Sequence, residues 1–470
     1  MSDTNLLDVG DYDDPAFADA NRLLGEQQFA AVVEYVRGLG PAARPPTLNV
    51  GGVAAVVLRA RPLAESFFRR ALAADPGFAQ TYNNLALFLR VDGRLAEAEQ
   101  VFHAGLRVAP DEPVMRMSLA NLLWLQDRHL EAEAALRELV RRHPEDAEAR
   151  FKLGGLLLTL GRFEEGWPFY EARYEPTRPG APEPINFGCP QWRGEPLAGR
   201  SILVWYEQGH GDEIQFCRYV PLLKAMGPAK VTVVCKPALA PLLATLDGVD
   251  RLVPAEGVHE IETHDYWTYL LSLPYLMGTR LETIPAQVPY LSALPERRER
   301  WAQLIPKDGF RVGLAWKGNP ELANDKNRSL PDLSVLRPLW DVPGVTFVSL
   351  QKGVAEEEAA DPPAGQPLLN LGRHFQDFGD SAALIEALDL VISVDTAPAH
   401  LAGALGRPCF CLTPAEGLDF RWLLERSDSP WYPTLTLFRR PLGATWDAVT
   451  PKVAEALGEA VRRSARAPAS

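Results

Sequence analysis

The stretch ISVDTAPAHLAGALG, residues 392–406, begins as a strand and ends as a helix. Leu390 to Val394 have the apolar, β-branched character of a strand covered on both faces, whereas the Ala- and Leu-rich continuation sets Leu401 and Leu405 one helical turn apart. Pro398 is tolerated only in a first helical turn and Thr396 is a favoured N-cap, so the sequence predicts a helix from about Ala397 to near Gly406. The first N–H groups of such a helix have no partner within it, and its start carries partial positive charge. Next to Asp395, Thr396 and His400 they form a seat for an anion such as phosphate. A plain capped helix with a satisfied histidine accounts for the same residues equally well.

The alternation of apolar strand, polar loop and helix recurs outward from this junction. SILVWYE (201–207) and KVTVVCK (230–236) read as buried strands, followed by the helical runs GDEIQFCRYVPLLKAMG and PALAPLLATLDG. After a break around 295–308, RVGLAWKG (311–318), VTFVSLQKG (345–353), DLVISVD (389–395) and PCFCLT (408–413) are further strands. This pattern favours parallel, doubly wound sheets, and two such sheets imply a cleft between them. Ligands of open α/β sheets settle beyond the carboxyl ends of the strands. Lys317 and Lys352 follow two of these strands, and Asn319 and Arg328 lie in the loop KGNPELANDKNRS. A lysine there can serve a diphosphate as a point charge, although lysines at strand ends are also ordinary solvated residues. In EQGHGDE, Gly209 and Gly211 permit a tight turn, but Ile214 stands where a dinucleotide fingerprint needs its third glycine, which disfavours NAD.

The N-terminal third is repetitive. Pro76, Pro110 and Pro144 recur at one spacing, and on that register Leu85, Leu119 and Leu153, then Ala86, Ala120 and Gly154, then Leu89, Leu123 and Leu157 match. The second helix of each unit repeats a small residue followed four later by a large one: Ala64/Phe68, Ala98/Phe102, Ala132/Leu136 and Gly166/Tyr170. An earlier, degenerate unit places Gly25 at the turn and Ala30 at the small position. Such units bury their apolar faces by stacking and present a concave surface suited to a peptide or helix. Arg116 and Arg150 stand where an apolar residue is usual, either to hold an acidic partner segment or simply solvated. The array is expected over 11–178, a Pro-rich linker over 179–196, and two α/β domains over 197–300 and 305–465.

Composition narrows the class. With 47% hydrophobic and 23% charged residues the chain is globular, and a net charge of −13 argues against nucleic acid and anionic membranes as general partners. Five cysteines without repeating spacing read as core residues in a reducing compartment. The acidic start lacks a secretory signal and no apolar run reaches about 20 residues, so a cytoplasmic protein without membrane insertion is expected.

The segments WYEQGHGDEIQFCRYVPLL, GLAWKGNP, VSLQKG, DLVISVDTAPAHLAGALGRP and DFRWLLERSDSPWYPTLTLFRR, together with the repeats, resemble the bacterial tetratricopeptide-repeat glycosyltransferases. Their catalytic part is similar to the heptosyltransferases and, more distantly, to protein O-linked N-acetylglucosamine transferases. The likeness spans residues 11–460. It implies a tetratricopeptide α-solenoid followed by a GT-B body of two Rossmann-like domains, a nucleotide-sugar donor, no metal or other cofactor, and inversion at the sugar carbon. It further implies that Asp395, Thr396 and His400 line the donor site, and it supports Lys352 more than Lys317. Asp395 sits oddly beside an anion and is expected to cap the helix or bond a sugar hydroxyl. Asp212 corresponds to the general base of the heptosyltransferases; helix capping is its ordinary alternative. His210 replaces a commoner aliphatic residue and can share or take over the base role.

The resulting expectation is a transferase that moves a sugar to Ser or Thr of a protein recruited by the repeats, with flagellin the favoured acceptor because some proteins of this layout modify it. A transferase for lipid-linked or polysaccharide glycan and a silent nucleotide-binding adaptor are the alternatives. DYD (11–13) and the histidines of HEIETHD, His259 and His264, are weak metal patterns. Trp422, Trp431 and Tyr432 read as packing, with Arg421 or Trp422 a candidate neighbour of the nucleotide base.

Overall fold

The computed structural model describes residues 12–256, 261–322, 324–417 and 419–466. The chain forms two compact units, one of residues 1–153 with 177–181, the other of 154–176 with 182–470. Asp11 and His259 lie outside the described residues.

The first unit is a succession of antiparallel helices: α1 (Pro15–Gly25), α2 (Phe29–Leu39), α3 (Pro45–Val57), α4 (Arg61–Ala74), α5 (Ala79–Val91), α6 (Leu95–Val108), α7 (Pro113–Leu125) and α8 (His129–Arg142). The helix α9 (Ala147–Thr159) starts in it and continues into the second unit. Ala64, Phe68, Ala98, Phe102, Ala132 and Leu136 are all buried, as the small–large pattern requires. Each buried Phe or Leu contributes roughly 1.5–3 kcal/mol, but only when a neighbouring unit covers it.

One expectation for the array needs correction. Arg59, Gly93, Asp127 and Gly161 occupy the turns between paired helices in left-handed conformation and keep the repeat register. In the first unit that conformation falls on Gln27, with φ 58°, and not on Gly25. The register is displaced by two residues, so the small and large positions carry Val32 and Val36, both buried, while Ala30 is exposed. Arg116 is half-buried and tied to its own repeat. Its Nη2 donates to the Pro110 carbonyl at 2.7 Å, the bond that the Tyr82 hydroxyl makes to Pro76 one repeat earlier at 3.0 Å.

In the second unit the helix α10 (Phe163–Tyr170) and the 3₁₀ turn Glu171–Tyr174 belong to the α/β body. The second helix of the last pair therefore packs with the α/β body, while the repeats before it form the separate compact unit. The cause is aromatic packing. Phe163 stacks on Trp431 at 6.0 Å, Trp167 and Tyr170 meet the Phe420 ring edge-on at 5.6 and 5.5 Å, and Trp167 Nε1 donates to the Thr279 carbonyl at 3.0 Å.

The body contains two wholly parallel sheets. The first has the order β3-β2-β1-β4, from β1 (Ser201–Trp205), β2 (Lys230–Cys235), β3 (Arg251–Pro254) and β4 (Tyr266–Tyr269). The second has the order β10-β9-β8-β5-β6-β7, from β5 (Phe310–Ala315), β6 (Val345–Ser349), β7 (Leu369–Asn370), β8 (Leu390–Val394), β9 (Cys409–Thr413) and β10 (Leu435–Arg439). Val312, Leu314, Ile392, Val394 and Leu412 from the second sheet form one core with Val453 and Leu457 of the last helix, Thr450–Arg466. The run expected as one helix after β1 is broken into His210–Phe216, a 3₁₀ turn and Val220–Ala225.

Candidate functional site

The carboxyl ends of β1, β2, β5, β6 and β8 face two adjoining cavities. One, of about 670 Å³, is lined by Asp212, Asp395, His400, Arg328 and Arg421 among others; the second, of about 470 Å³, by Lys317, Lys352, Phe375 and Phe378 among others. His210, Asn319, Thr396 and Ala397 line both. All nine candidate residues read from the sequence therefore border one or both cavities, although they lie on loops of two separate sheets.

The opening junction folds as its residues dictate. Strand β8 ends at Val394, Thr396 stands in the N-cap position with φ −154°, and the helix runs Ala397–Ala404 with Pro398 in its first turn. The Thr396 side chain makes no capping bond, contrary to expectation, and Thr396 stands at the cavity wall with Ala397; Pro398 has no N–H, and the Ala399 N–H is bonded to the Thr396 carbonyl at 2.9 Å. Asp395 is buried. Burial and the charge of Asp419 push its carboxyl up to about 6. His400 stacks on the Trp422 indole at 5.3 Å, its Nδ1 hydrogen-bonds the Tyr432 hydroxyl at 3.0 Å, and its Nε2 lies 3.9 Å from Asp395 Oδ1. Burial, reinforced by Arg421, Arg218 and Arg328, holds the imidazole well below its ordinary range, so His400 is neutral at pH 7. Trp422 and Tyr432 are thus packing residues, as read, but the packing orients His400.

The loop after β1 approaches from the other half. Gln208 takes left-handed backbone, φ 58°, and the helix His210–Phe216 follows. A Cβ on Gly211 would lie 2.7 Å from His400 Cδ2, so glycine is what lets the two loops touch. The Asp212 carboxylate is doubly engaged: Oδ2 accepts the Gly209 N–H at 2.7 Å, and Oδ1 pairs with Arg421 Nη2. Helix capping, the ordinary role for this residue, is therefore realised. Burial pushes its pKa up, while Arg421 opposes the rise. His210 lies against Phe378 with ring centres 5.0 Å apart, and burial together with Lys236 lowers its affinity for a proton.

The lysines are tethered. Lys317 Nζ donates to the Pro331 carbonyl, and Lys352 Nζ to the Arg373 carbonyl at 2.8 Å. Each ammonium retains donors for a ligand. Buried Gln351 locks the two loops together: Oε1 accepts from Trp316 and Lys317 N–H, both at 3.1 Å, and Nε2 donates to the Val354 carbonyl at 2.8 Å. Arg328 pairs with Asp325 at 3.2 Å, and Asn319 Oδ1 accepts the Glu321 N–H at 3.0 Å.

Sequence reasoning passed over Lys236 and Asp419, which line the larger cavity. Lys236 directly follows β2, the same signal that singled out Lys317 and Lys352. Its Nζ bonds the Gln208 carbonyl at 2.6 Å and Glu213 at 2.7 Å. His264 is a satisfied core histidine, with Nδ1 2.7 Å from the Glu262 carbonyl and Nε2 2.8 Å from Thr232 Oγ1. Among the described residues no helix is long and apolar enough to cross a membrane.

The residues fit known families. Residues 372–413 match the model of glycosyltransferase family 9 (heptosyltransferase), and 67–100 and 117–182 match tetratricopeptide-repeat models. The chain is 32% identical over 424 residues to Protein FlbA of Caulobacter vibrioides, covering 83% of this chain and 68% of that protein. Among solved structures it is similar to a family 9 glycosyl transferase from Veillonella parvula (12% identity, TM-score 0.46, 57% of this chain and 99% of that one). It is also similar to the ADP-heptose LPS heptosyltransferase II of E. coli (14% identity, TM-score 0.44, 56% and 99%).

Proposed function

The chain belongs to the family of Protein FlbA and is a tetratricopeptide-repeat glycosyltransferase with a family 9, heptosyltransferase-like region, and we propose that it transfers a sugar from a nucleotide-sugar donor to Ser or Thr of a protein bound by its repeats. The observation that carries this reading is the convergence of residues from both sheets on adjoining cavities. The smaller cavity, walled by Leu350, Phe375 and Phe378 and flanked by Lys317 and Lys352, suits a nucleotide. The phosphates would lie at Thr396 and the start of the helix Ala397–Ala404, with Asn319 beside them and Arg328 supplying countercharge. The sugar would then occupy the larger cavity, between Asp395, His400 and Asp212.

Transfer requires removal of the acceptor hydroxyl's proton and neutralisation of the departing phosphate. Asp212 is the proposed base: although both oxygens are engaged, a carboxylate has about four acceptor directions, which leaves room for a hydroxyl. Neutral His210, at the seam between the cavities, is the second candidate. Attack from the face opposite the phosphate would invert the sugar carbon, within a GT-B arrangement. The donor is the one small-molecule substrate, with neither metal nor cofactor, in a cytoplasmic setting. EDTA should leave the rate unchanged. Flagellin is the proposed acceptor, on the strength of the repeat–transferase layout.

Incubation of the purified chain with nucleotide sugars, separated cell proteins and glycans tests the reading. Mass added to a protein supports it; mass added only to glycan makes the repeats an assembly device. Nucleotide binding without any transfer would mean a silent adaptor. Thr396→Ala with His400→Ala should weaken donor affinity at least about tenfold, a loss of about 1.4 kcal/mol.

A further inference from the structure

Arg421 reaches across the body in a way the donor and base roles do not use. Its side chain is 4% exposed, and all three guanidinium nitrogens are bonded. Nη2 donates to Asp212 Oδ1, Nη1 to Asp419 Oδ2 at 2.6 Å, and Nε to Gln215 Oε1. Phe216 and Phe420 lie 5.0 and 4.7 Å from the guanidinium carbon. Asp212, Gln215 and Phe216 belong to the helix following β1, whereas Arg421 belongs to the 3₁₀ turn Phe420–Trp422 that follows β9. The carboxylate and the cation that fixes it thus come from opposite halves of the body.

We propose that Arg421 is a positioning residue for sugar transfer, holding the Asp212 carboxylate from across the cleft so that it stays ionised and aimed at the acceptor hydroxyl. This rests on the reading of Asp212 as the base. In the step served, the hydroxyl proton passes to Asp212 and the acceptor oxygen bonds the sugar carbon. The sugar–phosphate bond breaks, and its electron pair leaves on the phosphate. An enclosed carboxylate without a countercharge would keep its proton and could not accept another. Arg421 bears the charge firmly: burial works against it, but Asp419 and Asp212 more than offset burial. The other charges near Asp212 are Asp419, Lys236 and Glu213, with Asp395 and Arg328 lining the same cavity; His210 and His400 are neutral.

The test is a carboxyl-carbon NMR titration of the full chain labelled with [13C]aspartate, the Asp212 signal being identified by its loss in Asp212→Asn. Arg421→Gln should raise the Asp212 midpoint by about one pH unit or more, and Arg421→Lys, which keeps charge but loses the fork, should leave it nearly in place. If the Gln variant does not fold, Arg421→Lys decides: loss of the fork should lower kcat at least about tenfold with the donor KM little changed. A midpoint unmoved in Arg421→Gln, or an unchanged kcat in Arg421→Lys, would overturn the proposal. Calorimetric binding of ADP, UDP and CMP to the same samples reports on the donor reading separately. Nucleotide bound with an unmoved Asp212 overturns the latch alone, whereas no nucleotide bound by the unaltered chain removes the donor site and the catalytic meaning of the latch with it.

Discussion

Gly211 has no room for a side chain. In Gly211→Ala the new methyl would press on His400 Cδ2, which Trp422 and Tyr432 hold in place. We expect a cost of about 1–3 kcal/mol in urea unfolding and a clear loss of nucleotide affinity by calorimetry. Asp395 gives a prediction of opposite sign for stability. Its folded-state pKa, about 6, lies above the ordinary 3.8, so between these values the native state holds the proton more tightly than the unfolded chain. Stability from this group is complete below 3.8 and lost as pH rises through 6. Asp395→Asn should therefore be more stable than the unaltered protein at pH 7.5, by up to about 3 kcal/mol, with the gap closing toward pH 4 and with weaker donor binding throughout. Thermal melts of both proteins across that range check it. The residue types at 395–400 and 209–212 marked these loops from the sequence. The Arg421–Asp212 pairing was not legible, because residues 209 positions apart acquire a common partner only through folding.

At the scale of elements, Arg173 anchors the site loop. It sits on the 3₁₀ turn after α10, is 3% exposed, and pairs with Glu207 just beyond β1 through Nε at 2.9 Å and Nη2 at 2.8 Å. Ser272 accepts another bond from it at 2.8 Å. Arg173→Met would leave Glu207 buried without its cation, for which about 3–5 kcal/mol is the usual cost. Glu207→Gln added to Arg173→Met should recover part of that loss, as urea unfolding of the single and double variants would measure. Elements also differed in how readily the sequence revealed them. β1, β2, β5, β6, β8 and β9 were readable as strands, whereas β3, β4, β7 and β10 were not. The four missed strands are the edges of the two sheets. An interior strand of a parallel sheet is covered on both faces and must be a continuous apolar run, while an edge strand can be short and mixed. β7 has two residues, and β4 is Tyr-Trp-Thr-Tyr.

For the whole molecule, the end of the array has a practical consequence. A chain cut to begin at 179, after the repeats as the sequence reads them, would lose Phe163, Trp167, Tyr170 and Arg173 from the body, and we expect it to be insoluble or partly unfolded. A chain beginning at 147 keeps α9 and α10 whole; it should melt cooperatively and bind nucleotide, but lose transfer to a protein acceptor. Circular dichroism melts and nucleotide titration of the two truncations distinguish these outcomes.

The sequence by itself determined the repeat period, the parallel α/β alternation and the loops that carry the chemistry, because each is a local matter of side-chain periodicity or of a strand passing into a helix. The tertiary structure alone decided that the last repeat helix belongs to the catalytic body and that the first repeat slips by two residues. It also decided that Asp212 is held by an arginine from the opposite sheet. These depend on which aromatic faces and which charges find one another at long chain separation, and no local pattern encodes such a choice.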